Sequence, residues 1–142
     1  MATPQASFYN SETWTVNKTT ANFLDSYQRR LMRNATNIRW PDKISTTKLY
    51  NTTKQTPWSK TITKRRVRLY GHLMRLPEDT SVRKAMVEYD RPLKMARGAP
   101  KFAWNKNIEN ELSQLCLDKK AAAEIAQVRK RWRALVNSID AG

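Results

Sequence analysis

The sequence predicts an all-α fold, a small bundle of about five or six helices with no sheet of consequence. Apolar residues recur at spacings of three and four along most of the chain, as they do on the buried face of a helix. No segment has the strict alternation that predicts a strand. One basic segment rich in proline and glycine, 90–101, separates two groups of these periodic stretches and is predicted to be a linker.

The first predicted helix covers about 21–36, and Thr19 or Thr20 can cap its amino end. Its apolar residues follow one another at spacings of one, three, four, four and three, which predicts that they face the core: Phe23, Leu24, Tyr27, Leu31, Ala35 and Ile38. A short helix carrying Leu49 and Tyr50 is predicted next, before a polar loop.

The stretch 60–77 is the segment around which the chain is organised. Ile62, Leu69, Leu73 and Leu76 form an apolar stripe at helical spacing, and a dense run of cations is interleaved with it. We expect Ser59 to cap this helix and Pro77 to end it. A helix with one apolar and one cationic face packs on a core while presenting charge to an anion.

Three further helices are predicted toward the carboxyl end. The first is Ser81–Tyr89; the second covers about 14 residues from Phe102; the third follows Asp118 as its cap. The resulting organisation is a leader at 1–17, a basic helical region at 18–89, the basic linker at 90–101 and a helical pair at 102–142.

Charge is the dominant feature of the composition. The chain has 27 Lys and Arg against 12 Asp and Glu, a formal net charge of +15. Residues 29–106 hold 20 of the basic residues and five of the acidic ones, so this central part carries the whole excess. A balance of this kind predicts a polyanionic partner, RNA or DNA rather than a membrane.

The candidate phosphate contacts are the cations of the central helix and of the linker. They are Lys60, Lys64, Arg65, Arg66, Arg68 and Arg75 in the helix, and Arg91, Lys94, Arg97 and Lys101 in the linker. Contacts of this type position a polynucleotide without reading its sequence, so low specificity is expected. The alternative for the helical set is a solvated face that also serves nuclear import.

Few residues are suited to catalysis or to metal binding. With one cysteine and one histidine the chain cannot build a zinc finger or an internal disulfide. Asp42, Glu78 and Asp79 are isolated in turns, and His72 is expected to be structural. We therefore expect no catalytic residue, no metal, no cofactor and no small-molecule substrate. Without a stretch of 18 apolar residues, no membrane span is expected either.

Five short motifs follow one another along the chain in an order that is typical of one known family. Residues 9–16, YNSETWTV, match a "YGSETWTL" segment, with Asn10 in place of glycine. An Arg-Arg pair and an "I-x-W-x-D" turn follow at 29–30 and 38–42. Residues 66–79, RVRLYGHLMRLPED, match an "R-x-R-W-x-G-H-V-x-R-x-P-D-D" signature, with Leu69 or Tyr70 holding the aromatic position.

The last two motifs lie in the carboxyl-terminal part. Residues 98–104, GAPKFAW, match "G-R-P-x-x-x-W", with Ala99 where arginine is expected. Residues 126–136, AQVRKRWRALV, match "A-x-D-R-x-x-W-R-x-L-V", with Val128 where an acid is expected. Over this span the chain resembles the thumb and tail region of non-LTR retrotransposon reverse transcriptases of the RTE-like type.

The resemblance implies a region that follows the polymerase palm and grips a template-primer or target DNA. It also implies that the paired aspartates holding the catalytic magnesium ions, and the endonuclease, belong to parts of the family's protein outside the matched region. The leading hypothesis is a non-catalytic, sequence-nonspecific nucleic-acid-binding fragment, nuclear or cytoplasmic. The alternative is a structural module that docks on a palm domain or another protein.

Overall fold

A computed structural model describes residues 8–89 and 104–139, and it confirms the all-α prediction. No strand occurs in either range. Single 3-10 turns at Ser11–Thr13 and Trp40–Asp42 accompany seven helices: α1 Lys18–Ala35, α2 Thr46–Thr53, α3 Trp58–Met74, α4 Ser81–Tyr89, α5 Trp104–Gln114, α6 Lys119–Gln127 and α7 Arg129–Ser138.

Helix α3 lies at the centre of the bundle. It contacts α1, α4, α5, α6, α7 and the 3-10 turn at Ser11–Thr13. Its buried side chains Val67, Tyr70 and Met74 form one core with side chains of the three carboxyl-terminal helices, namely Ile108, Leu112, Ala122, Ala126, Trp132 and Val136. The basic helical region and the carboxyl-terminal region therefore share a single hydrophobic core.

The amino end of α3 is capped by side chains of α1. Pro57, not Ser59 as predicted, is the N-cap residue, and proline offers no side-chain acceptor. The Trp58 N–H instead donates to Gln28 Oε1 at 2.9 Å, and the Ser59 N–H donates to Asp25 Oδ1 at 2.9 Å. These bonds satisfy first-turn amides that would otherwise have no partner in the helix.

This capping explains why α1 is rotated relative to the prediction. Gln28 is 2% exposed, because its amide also donates to Thr56 O at 2.8 Å, and Met32 is buried beside it. Phe23 is 70% exposed and Tyr27 50%, and Leu31 and Ala35 are exposed as well. The prediction that this apolar set faces the core is wrong for these four residues, since the polar Gln28 takes the inward position.

The carboxyl-terminal part has three helices where two were predicted. The segment after Asp118 breaks at Val128, whose extended backbone ends α6 and starts α7. The break turns Trp132 back onto α3, where its ring lies against Gly71 and its Nε1–H donates to Val67 O at 3.2 Å. Asp118 occupies the N-cap position of α6 without a side-chain cap bond.

Candidate nucleic-acid interface

The six cations predicted along the central helix occupy three kinds of environment. Arg66 is buried, Arg68 is exposed, and the remaining four are half-buried: Lys60, Lys64, Arg65 and Arg75. They do not form one continuous cationic face, because α3 is surrounded by other elements on most sides.

Arg66 is a structural cation. Its side chain is 3% exposed and forms an ion pair with Glu111 of α5, while Nη2 donates to Trp14 O at 2.9 Å. Both partners, the Glu111 carboxylate and the Trp14 carbonyl oxygen, are groups of the protein itself. The structure thus places Arg66, a predicted phosphate contact, in the interior, where its guanidinium links α3 to α5 and to the amino-terminal segment.

Arg65 and Arg75 also donate to the protein's own carbonyl groups. Arg65 Nη1 donates to Phe8 O at 2.5 Å, and its guanidinium lies 6.0 Å from the centre of the Phe8 ring. Arg75 Nη1 donates to Ala126 O at 2.9 Å. These bonds connect the amino-terminal segment and α6 to α3, so part of the donor set of each guanidinium is used within the protein.

The remaining predicted contacts divide by location. Arg68 is exposed, as a phosphate contact requires, and Lys60 and Lys64 are half-buried. The four linker cations, Arg91, Lys94, Arg97 and Lys101, lie outside the described residues. Within α3 the structure therefore leaves Arg68 as the fully accessible arginine of the predicted set.

The pKa of the Glu111 carboxyl group is shifted by its position in the interior. Burial raises the pKa of Glu111 from 4.5 to about 7, and the Arg66 charge and a hydrogen bond from Thr63 Oγ1 oppose this shift. Arg66 Nε and Glu111 Oε2 have no hydrogen-bond partner in the described chain. The pair is thus incompletely satisfied, which makes it costly to keep charged in the interior.

The raised pKa of Glu111 predicts that stability falls as pH rises from 4.5 to 7. In that window the folded protein binds more protons at this site than the unfolded chain, so the slope is negative, up to about 1.4 kcal/mol per pH unit. Urea unfolding from pH 4 to pH 8 measures it, and Glu111→Gln is the control that lacks this titration. Parallel pH profiles for the two proteins would contradict the assignment.

A cluster of exposed cations surrounds the start of α7. It consists of Arg129, Lys130, Arg131 and Arg133, which flank the buried Trp132. None of the four side chains forms a hydrogen bond or an ion pair in the described structure. The amino end of a helix carries partial positive charge, which disfavours the three cations in the first turn of α7, Arg129, Lys130 and Arg131.

This cluster was not predicted from the sequence, because Trp132, Leu135 and Val136 have the spacing of a helix that packs on a core. The signal was present: in RKRWR the tryptophan alone has core character, and every neighbour is basic. A second exposed group was also missed, in and around the connection between α1 and α2, namely Arg30, Arg39, Lys43, Lys48 and Lys54.

The described residues contain no geometry suited to a metal ion. Among them, no three His, Cys, Asp or Glu side chains come close enough together to hold one. In the same part of the chain, no helix has the length and apolarity needed to cross a membrane.

Comparison of the chain with protein-family models, with curated proteins and with solved structures found no match.

Proposed function

We propose that this chain is a non-catalytic, largely sequence-nonspecific nucleic-acid-binding region of a non-LTR, RTE-like reverse transcriptase, working in the nucleus or the cytoplasm. The family assignment depends on the ordered sequence motifs. The observation that carries the binding proposal is the exposed cluster at the start of α7. Four exposed cations without acidic partners lie together there, and three of them are in the first turn, where the helix dipole disfavours cations and favours an anionic ligand.

Several properties of the chain support a polynucleotide as that ligand. The net charge is +15, and the exposed cations occur on more than one side of α3. Lysine and arginine that neutralise phosphates release condensed counterions, which favours binding to any sequence. The role we infer is to hold a template-primer or target DNA beside the catalytic part of a polymerase.

A salt series tests this proposal. Binding of the intact chain to a random-sequence RNA and to a duplex DNA is measured from 50 to 200 mM salt. We expect the logarithm of the association constant to fall linearly with the logarithm of salt concentration, with similar slopes for unrelated sequences. Absence of binding at 50 mM salt, or binding indifferent to salt, would refute the proposal.

A second candidate function, a module that docks on another protein, is favoured by one observation. Phe23, Tyr27 and Leu31 lie at spacings of four along α1 and are all exposed. Large apolar side chains gathered on one helix face are typical of a docking surface. The salt series separates the two functions. If the chain docks through this face, we expect no binding to polynucleotides. We also expect the chain to self-associate, and high salt should not reverse that association.

A further inference from the structure

A small cleft lies between the carboxyl end of α1 and the loop that leads to α2. Its volume is about 340 Å³, and its lining is Arg33, Ile38, Arg39, Lys43 and Ile44. Three of the five lining residues are cations and the other two are isoleucines. No acidic side chain lines the cleft, so its lining is strongly positive.

The three cations are not neutralised by the protein. Within the described residues, none of their side chains takes part in an ion pair or a hydrogen bond. The loop contains a single acid, Asp42, and its Oδ2 accepts the backbone N–H of Arg39 at 2.7 Å. That carboxylate holds the loop backbone and forms no ion pair with the three cationic side chains.

The backbone of the cleft is held in place before any ligand arrives. Ile38 N–H donates to Arg33 O at 2.9 Å and Asp42 N–H donates to Arg39 O at 3.1 Å. Asn37 and Lys43 have left-handed backbones, with φ of 54° and 44°. A left-handed backbone is unfavourable for lysine. The hydrogen bonds of Ile38 N–H and Asp42 N–H hold the loop in this conformation.

We propose that this cleft binds one phosphoryl group. Arg33 and Arg39 each offer a planar fork of N–H donors that matches the oxygens of a phosphate, and Lys43 adds a point charge. The carboxyl end of α1 contributes partial negative charge nearby, about half an elementary charge, which three full cations outweigh. The two isoleucines, Ile38 and Ile44, are half-buried and form the apolar part of the lining.

The inference deepens the proposed function, on which it rests for the natural source of the phosphoryl group. That source is either an internal phosphodiester of a polynucleotide or the phosphomonoester at a strand end, because both present the same oxygens. The cleft itself is tested without a polynucleotide, so that its failure is separable from failure of the proposed function.

The test is a titration of the intact chain with inorganic phosphate, followed by amide nuclear magnetic resonance, with sodium chloride of matched ionic strength as reference. We expect saturable shifts of the amides at 33–44. The variant Arg39→Ala/Lys43→Asn removes two exposed cations, and asparagine tolerates the left-handed backbone at 43. We expect it to bind phosphate about ten-fold more weakly.

The matched control is Lys84→Ala/Lys120→Ala, which removes two exposed charges from α4 and α6. It should bind phosphate as the unmodified chain does. Shifts that chloride reproduces, or that persist unchanged in the Arg39→Ala/Lys43→Asn variant, would overturn the site. If phosphate binds as expected but no polynucleotide does, the cleft stands and the proposed function fails.

An oligonucleotide pair with and without a 5′-phosphate then assigns the source. Tighter binding of the phosphorylated strand, with the preference lost in Arg39→Ala/Lys43→Asn, supports a strand end as the ligand. Equal binding of both strands, weakened equally by the same variant, supports an internal phosphodiester. A variant that leaves both affinities unchanged contradicts a role of the cleft in polynucleotide binding.

Discussion

Replacing Gly71 with alanine is expected to lower the free energy of unfolding by about 3 kcal/mol. A Cβ atom at this position would lie 1.9 Å from Trp132 Nε1, far inside van der Waals contact. Trp132 is 3% exposed, so its ring cannot move aside without disturbing the core. The change would also break its hydrogen bond to Val67 O. Chemical denaturation monitored by circular dichroism measures the loss.

The control for this substitution is the next residue. His72→Ala lies on the same helix and is exposed, so we expect a change within about 0.5 kcal/mol. If the clash with Trp132 is the cause, Gly71→Ala should cost much less in a Trp132→Ala background. A Gly71→Ala protein as stable as the unmodified one, or equal costs in both backgrounds, would show that α7 does not pack here as described.

Arg66→Met is expected to destabilise the protein by about 3–5 kcal/mol at pH 8. The substitution leaves the Glu111 carboxylate buried without its counter-charge and removes the donor to Trp14 O. At pH 5 the loss should be smaller, because burial raises the pKa of Glu111 and the carboxyl group is then neutral in the folded protein. Urea unfolding at the two pH values measures the difference.

The double variant Arg66→Met/Glu111→Leu separates the pair from its surroundings. Replacing both charges with apolar groups removes the unpaired charge, so much of the stability lost in Arg66→Met should return. The hydrogen bond to Trp14 O stays absent in both variants. If the double variant is less stable than Arg66→Met at pH 8, the pair is not the source of the loss.

The all-α class and the central place of α3 followed from local periodicity. Apolar residues at helical spacing place a helix on a core whatever its partners are, and α3 has such residues along its whole length. The same spacing indicates that Arg66 is buried, but the basic residues beside it make it look like part of an exposed cationic face. Arg66 lies four residues after Ile62 and four before Tyr70, both buried, so it falls on the apolar face.

The environments of the other residues depended on contacts distant in the sequence. Arg65 meets Phe8, 57 positions earlier, and Gln28 meets the Trp58 amide, 30 positions later. No local pattern predicts that Gln28 of α1 caps α3. Because Gln28 takes the inward position, Phe23 and Tyr27 lie on the exposed side of α1. The basic run at the start of α7 is visible in the sequence. Whether its residues can bind a ligand depends on their exposure, which only the structure gives.

The nucleic-acid salt series applied to one further variant tests whether the α7 cluster binds polynucleotides. Arg129→Ala/Lys130→Ala/Arg131→Ala removes three cations of the α7 cluster, and Lys84→Ala/Lys106→Ala/Lys120→Ala removes three exposed cations elsewhere. We predict weaker binding of the first variant to RNA and DNA of any sequence, with a salt slope smaller by about three, and a smaller effect of the second. Equal affinity and equal slope for the α7 variant and the unmodified chain would show that the α7 cluster does not bind polynucleotides.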